Sequence, residues 1–203
     1  MKVPFFPYSD LYFEDQDAYQ TIFNDVSSKG AFILQKELED FENILCDYTG
    51  SNYALGMGNA TDALEIGLMA GGLKKGSEVI ISSHTMIATA SAIVVAGAIP
   101  VPIDCGNDHM IDVTKIESAI TEKTSAIMPT QLNGRVCEMD AIFKIADKHN
   151  LEVYEDSAQA LGAKYKNQTA GTFGIAGCIS FYPAKTMGCN SYCWAFLIQD
   201  KEV

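Results

Sequence analysis

The stretch "EVIISSHTMIATASAIVVAGAIPVPID", residues 78–104, decides how this chain folds. It opens on an unbroken apolar run, "EVIIS", and closes on another, "IPVPID". Between them "TMIATASAIVVAG" carries helical spacing and stops at a glycine. Thr, Ser, Gly and Pro interrupt the apolar character from Met86 onward, so the segment reads as a helix followed by a strand and not as a membrane span. A strand, a helix and a second strand in this order form one βα unit of a mostly parallel sheet.

The same rhythm extends along the chain. "YALGM", "SAIMPT", "LEVYED", "CISFYP" and "AFLIQ" are further short apolar runs, continuous instead of alternating, as expected for strands covered on both faces. "TDALEIGLMAGGL", "VTKIESAI" and "MDAIFKIADKHN" are helical between them, the last turning Met139, Ile142, Phe143 and Ile145 to the core. Ahead of Tyr53, "DQDAYQTIFNDVSSKG" and "QKELEDFENILCDYTG" read as two helices that each end in glycine. The expected organisation is an amino-terminal helical segment, 1–52, packing on an α/β domain, 53–203. An open sheet of this kind continues beyond such a strand, so the 203 residues are expected to be part of a larger architecture.

Composition narrows the partners. Acidic residues outnumber basic ones by 26 to 14, and a net charge of −12 without a Lys/Arg cluster speaks against nucleic acid or an anionic membrane. The start, "MKVPFFPYSD", has one basic residue and no sustained apolar core, unlike a secretion signal, so the cytoplasm is expected. Six cysteines lack paired CxxC spacing, which speaks against a zinc site or a disulfide framework, and no metal is expected.

In open α/β sheets ligands bind beyond the carboxyl ends of the strands, so residues just after the apolar runs matter most. In "GMGNATDAL" a strand runs into Gly58, and Asn59, Ala60 and Thr61 open a helix whose free amides and dipole suit a phosphate. A plain strand-to-helix turn has the same look, and a dinucleotide fingerprint fails where Thr61 takes the third glycine position. In "LEVYEDSAQALGAKY" a buried strand ends in Glu155 and Asp156, with Gln159 three residues on. A desolvated acid there invites a cationic partner such as a protonated ring nitrogen, or else caps the next helix. In "SFYPAK" Ser180 and Lys185 stand around the next strand end. A lysine there is ordinary surface by itself, whereas a partly desolvated amine is a nucleophile toward an aldehyde and a nearby hydroxyl can hold phosphate. His84 is either an acid/base group or structural. A phosphate cradle, an acid for a ring nitrogen and an amine for an aldehyde are together the needs of pyridoxal 5'-phosphate.

The series "GNATDAL", "GSEVIISSHTMIATASAIVVAGAIPVPID", "PTQLNGRVCEMDAI", "VYEDSAQALGAKY" and "SFYPAKTMG" closely resembles the DegT/StrS family of pyridoxal-phosphate-dependent, fold-type I sugar aminotransferases, in order over nearly the whole chain. The resemblance implies the large α/β domain of that fold, without the small carboxyl-terminal domain. It implies that Lys185 forms a Schiff base with the cofactor and shuttles protons, that Asp156 keeps the pyridine nitrogen protonated, and that Gln159 lies against the ring. Ala60, Thr61 and Ser180 would be phosphate ligands, and Met86 stands where the family places a stacking aromatic side chain. Family members move an amino group, usually from glutamate, to a keto group of a nucleotide-linked sugar, as homodimers with active sites at the subunit interface. Dehydratase relatives carry histidine in place of the lysine, so Lys185 points to transamination. Two departures stand out. Family members are longer than this chain, and after the lysine they read close to "NLGxxGDGGA" where this sequence has "TMGCNSYCWA". Tyr192, Cys193 and Trp194 in place of turn glycines would cost stability where positive φ is needed. The alternative to an enzyme is therefore a shortened, inactive product of the same ancestry that binds a cofactor or a partner.

Overall fold

The structure, a computed structural model, describes residues 3–189 and 193–203, and for Ala60 the backbone alone. Contacts divide the chain into two units, Met1–Phe41 and Glu42–Val203. In the first, α1 (Tyr8–Glu14) and α2 (Gln16–Lys29) bury no side chain, and α2 ends on Gly30 in the left-handed conformation. Rings of Tyr12 and Tyr19 stack between the two helices. Helix α1 was not foreseen, because its seven residues "YSDLYFE" are too few for the spacing of Tyr8, Leu11 and Tyr12 to stand out and no capping side chain announces it: Pro7 stands at the N-cap.

Helix α3 (Lys36–Thr49), whose Leu45 and Thr49 are buried, begins in the first unit and ends in the second, which then runs through β1 (Tyr53–Met57), α4 (Ala60–Ala70), β2 (Glu78–Ser82), α5 (Ile87–Val95), β3 (Ile99–Ile103), α6 (Val113–Ala119) and β4 (Thr124–Met128). It continues with α7 (Met139–His149), β5 (Glu152–Asp156), a small hairpin of β6 (Lys164–Tyr165) and β7 (Gln168–Thr169), β8 (Ala176–Ser180) and β9 (Trp194–Ile198). Seven strands form one sheet in the order β1-β9-β8-β5-β4-β2-β3. All neighbours are parallel except β9, which runs antiparallel to both β1 and β8. The quoted stretch is thus a βαβ unit in which β2 and β3 pair directly.

Successive residues of the central strands face opposite layers. Val79, Ile81, Met128, Tyr154 and Phe196 pack with Leu64, Leu68 and Ile93 on the α4/α5 side. Ile80, Ile127 and Val153 pack with Ile116, Met139 and Ile142 on the α6/α7 side. Phe143 and Ile145 are only half-buried against that second cluster, and Ala146 completes the buried stripe. Coverage on both faces, expected of every strand, fails at the edges: Tyr53 and Leu55 of β1 and Ile99 of β3 are 40%, 46% and 45% exposed. Edge position also explains Pro100 and Pro102. The main-chain bonds to β2 are made around them, Ile99 N–H to Ser77 O and Ser83 N–H to Ile103 O, so neither missing N–H is required by the ladder.

Candidate active site

The carboxyl ends of β2, β4, β5 and β8 and the amino ends of α4 and α5 enclose a cavity of ≈ 480 Å³. Asn59, Thr61, Met86, Asp156, Gln159 and Lys185 all line it, joined by Thr130, Tyr182 and Trp194. Six of the nine residues singled out from the sequence for cofactor binding therefore converge on one space.

Asp156 closes β5 at 3% exposure, and neighbouring Glu155 is fully buried on the opposite face, as strand alternation requires. Glu155 accepts hydrogen bonds from the amides of Gly171 (2.9 Å), Phe173 (2.7 Å) and Gly174 (3.3 Å) and from Gln131 Nε2 (2.8 Å). It locks the 171–174 loop beneath the sheet and has no place in the cavity. Asp156 is held by a different set: Thr89 Oγ1 donates to Oδ2 at 2.6 Å and Ala158 N–H to Oδ1 at 3.2 Å. Thr89 is joined to Thr85 (2.7 Å), and Thr85 to Thr130 (2.8 Å). An ionised carboxylate only accepts, so the chain of hydroxyls donates in the order Thr130, Thr85, Thr89 toward Asp156. Burial raises the Asp156 pKa, and the Thr89 hydroxyl, the Ala158 amide and the Lys185 charge pull it back. Among the described residues no salt bridge engages this carboxylate.

Lys185 stands five residues beyond β8, where its amide closes a turn on Tyr182 O at 2.8 Å. Its amine is half-buried, and burial lowers its pKa below the ordinary lysine value while the negative charge of Asp156 partly restores it. The turn depends on Gly188: a Cβ there would lie 2.3 Å from the Pro183 carbonyl oxygen, and the next amide, of Cys189, bonds Phe181 O at 2.8 Å. At the other wall Asn59 Oδ1 accepts Asp62 N–H at 2.9 Å while Asn59 Nδ2 donates to the Asp62 carboxylate at 2.7 Å. This cap leaves the first amides of α4, at Ala60 and Thr61, without an intrahelical acceptor. Among the described residues nothing lies within 4 Å of where a Cβ on Gly58 would stand, so the turn just before these amides is uncrowded. Gln159 is fixed on the 133–134 turn, its carbonyl accepting Gly134 N–H and its Oε1 accepting Asn133 N–H. Met86 is the N-cap residue of α5 and is 62% exposed.

Two proposed site residues lie off the cavity wall. Gly58 precedes Asn59 in the turn between β1 and α4 and is not among the lining residues. Ser180 is 1% exposed and its hydroxyl accepts Tyr182 N–H at 3.2 Å, so it shapes the turn before Lys185. His84 is also outside. Sequence reasoning missed Thr89 and Thr130; the signal available for the first was a hydroxyl four residues after Thr85 inside a mostly apolar helix. Trp194 was read as a strained turn residue, yet it begins β9 in register with Ser180 and Met57. Trp194 is held extended in β9, so the expected strain is absent there, and Tyr192 lies outside the described residues.

The profile of the DegT/DnrJ/EryC1/StrS aminotransferase family matches residues 14–202. The chain belongs to that family. It is 36% identical over its whole length to dTDP-3-amino-3,4,6-trideoxy-alpha-D-glucose transaminase of Streptomyces venezuelae, covering 54% of that protein. It is 41% identical over 163 residues to GDP-perosamine synthase of Caulobacter vibrioides, 79% of this chain and 42% of that one. Among solved structures, Streptomyces venezuelae DesV in complex with a ketimine intermediate superposes with a TM-score of 0.94 at 37% identity, over 99% of this chain and 54% of the other. Bacillus subtilis NtdA with bound cofactor PMP superposes at 0.92 with 32% identity, over 99% and 46%. The chain spans about half the length of the relatives it matches. These structures share its mostly parallel α/β sheet, that of the fold-type I aminotransferases.

The residues present fit the pyridoxal cofactor that this family implies. A buried carboxylate with no salt bridge among the described residues, a half-buried amine of lowered pKa and the amino end of a helix meet in one cavity. Each offers the chemistry that one part of the cofactor needs: a ring nitrogen, an aldehyde and a phosphate.

Proposed function

We propose that this chain carries the cofactor-holding part of a pyridoxal-phosphate-dependent aminotransferase that moves an amino group from an amino acid, glutamate first among the candidates, to a keto group of a nucleotide-linked sugar. The observation that carries the reading is the meeting of Lys185 and Asp156 on one cavity wall, with Asp156 buried and oriented by three hydroxyls. When bound, the cofactor supplies an electron sink for charge developing at carbon. Lys185 would hold it through Nζ, and its lowered pKa leaves more of the amine unprotonated at neutral pH than an ordinary lysine has. The same nitrogen, once released, is the group placed to carry a proton. Asp156 would supply negative charge to a protonated ring nitrogen, which in turn would favour its ionised form, and the Thr130–Thr85–Thr89 chain keeps its oxygens from turning away. The α4 amides would take phosphate, Gln159 would orient the ring, and the exposed thioether of Met86 would cover it. Exposed Ile66, Met69, Val94 and Val95 on α4 and α5 suit a subunit contact, in keeping with a homodimer. Among the described residues no helix is long and apolar enough to cross a membrane. Among the described residues no disulfide is formed, which suits a reducing compartment such as the cytoplasm.

Trp194 favours a second reading, binding without turnover, because a large indole lines the cavity where the resemblance has glycine. One experiment separates the two. The chain loaded with pyridoxal phosphate is mixed with glutamate, and the keto acid released is measured by mass spectrometry. One equivalent, absent from a Lys185→Ala variant, supports the aminotransferase; no keto acid from a chain that has bound the cofactor supports the second reading.

A further inference from the structure

Outside the cavity, His84, Cys105 and His109 each place a potential ligand atom within 4.8 Å of the others. The sequence gives no hint of this, since the three are separated by 21 and 4 positions and no CxxC spacing announces them. The fold brings them together from two well-anchored segments. Ser83 N–H bonds Ile103 O at 2.8 Å, prolonging the β2–β3 ladder by one residue, so His84 leaves the sheet beside the segment that begins at Asp104. Cys105 and His109 belong to a tight hairpin closed by Asp112 N–H to Asp104 O (3.2 Å), Gly106 N–H to Met110 O (2.9 Å) and His109 N–H to Gly106 O (2.9 Å). Met110 and Ile111, each 4% exposed, pin the hairpin to the core. His109 turns at φ +66°, and its ring meets that of His84 edge to face at 5.7 Å.

The tautomer of His84 is also set. Its Nδ1 lies 3.1 Å from the carbonyl oxygen of His109. A carbonyl only accepts, so Nδ1 carries the proton and Nε2 the lone pair. A backbone carbonyl holding one ring N–H is the usual support of a metal-bound imidazole.

We propose that His84, Cys105 and His109 bind a transition-metal dication of borderline softness, Zn²⁺ being the type ion. Two imidazoles and a thiolate select such ions over Mg²⁺ and Ca²⁺, which take oxygen ligands. Zn–N of about 2.0–2.1 Å and Zn–S of about 2.3 Å require the three atoms to close by roughly 1 Å. The His84 and His109 rings are exposed and Cys105 is partly so, and such side chains make that adjustment by small rotations. Binding forms a metal–sulfur bond and releases the Cys105 thiol proton to solvent, with no change of oxidation state. A fourth position stays open to water. The ion ties the segment leading into Met86, on the cavity wall, to the hairpin that follows β3.

The test is titration of the purified chain with Co²⁺, followed by absorbance. The expected result is a thiolate-to-cobalt charge-transfer band that saturates at one equivalent and is erased by Zn²⁺. It should vanish in Cys105→Ser and persist in a Cys189→Ser/Cys193→Ser double variant, which removes the two thiols that lie beside each other elsewhere in the chain. His84→Gln and His109→Asn should weaken Co²⁺ by more than the ~10–100-fold that loss of an outer partner costs; asparagine is chosen because it tolerates the left-handed backbone at 109. Circular dichroism shows that each variant is folded, and zinc-edge X-ray absorption of the unaltered chain should count one sulfur and two imidazoles. No band in the folded chain, a band that survives Cys105→Ser, or one that disappears with Cys189 and Cys193 overturns the assignment.

Discussion

Replacing Thr89 with valine removes one fully buried hydroxyl and keeps the size of the side chain, so it deletes the bond to Asp156 together with the one to Thr85, and only the first depends on the carboxyl charge. In the folded chain burial raises the Asp156 pKa above the 3.8 of an unfolded chain. A carboxyl raised in this way contributes most to stability below pH 3.8, and the contribution is lost as pH rises through the folded value. The Thr89 hydroxyl limits that loss, because it donates to the ionised form. Its removal should therefore cost about 0.5–1.5 kcal/mol while the carboxyl is protonated and about 1.5–3 kcal/mol once it is charged. With a urea dependence of about 2 kcal/mol per molar, the unfolding midpoint should fall by roughly 1 M near pH 8 and by about half of that near pH 4. Urea unfolding followed by circular dichroism at the two pH values measures this. Adding Asp156→Asn should shrink the effect of Thr89→Val at the higher pH, since the charge is gone and the hydroxyl chain can reverse its direction. A midpoint shift equal at both pH values, or larger in acid, would refute the claim that Thr89 acts through the Asp156 charge.

Other substitutions separate fold from site. Gly188→Ala should displace the turn that carries Lys185, because its Cβ would meet Pro183 O at 2.3 Å; a loss of about 1–3 kcal/mol in urea unfolding is expected, together with loss of cofactor binding. Glu155→Gln places an amide N–H₂ among donors and should cost about 1–3 kcal/mol, while pyridoxal phosphate still binds the fraction that folds. Asp156→Asn should do the opposite, keeping the unfolding midpoint near that of the unaltered chain and weakening cofactor binding. Met86→Tyr should tighten pyridoxal phosphate several-fold in a fluorescence titration, the worth of about 0.5–1.5 kcal/mol of ring contact.

The architecture was legible because burial on both faces writes itself as continuous apolar runs: Val79-Ile80-Ile81 feeds one core on each side of the sheet. Where a strand lies at the edge, the same apolar run conceals exposure, as at Tyr53, Leu55 and Ile99. Lys185, Asp156, Gln159, Met86, Asn59 and Thr61 could be named because ligands gather at strand ends, and the cavity collects them there. Ser180 shows the limit of that rule. It ends its strand as required, but its hydroxyl faces the turn, and the direction of a side chain at a strand terminus depends on the register with β9. Trp194 was misjudged for a related reason: reading it as a glycine replacement implied a turn, whereas the pairing of β9 with both β1 and β8 holds it extended. The hydroxyl chain with Asp156 and the His84–Cys105–His109 cluster are tertiary groupings across 71 and 25 positions, and the four-residue spacings within them, Thr85 to Thr89 and Cys105 to His109, do not by themselves announce either.

The central claim is that Lys185 and Asp156 form a surviving pyridoxal-phosphate pocket. It is tested most directly by adding the cofactor to the purified chain, reducing with borohydride and mapping the modified peptide by mass spectrometry, with Lys185→Ala alongside. The account predicts one cofactor per chain fixed to Lys185, with the yield rising with pH to a plateau below the ordinary lysine value of 10.5. A folded chain that gains no cofactor at Lys185, or gains it equally on surface lysines and in the alanine variant, would contradict it.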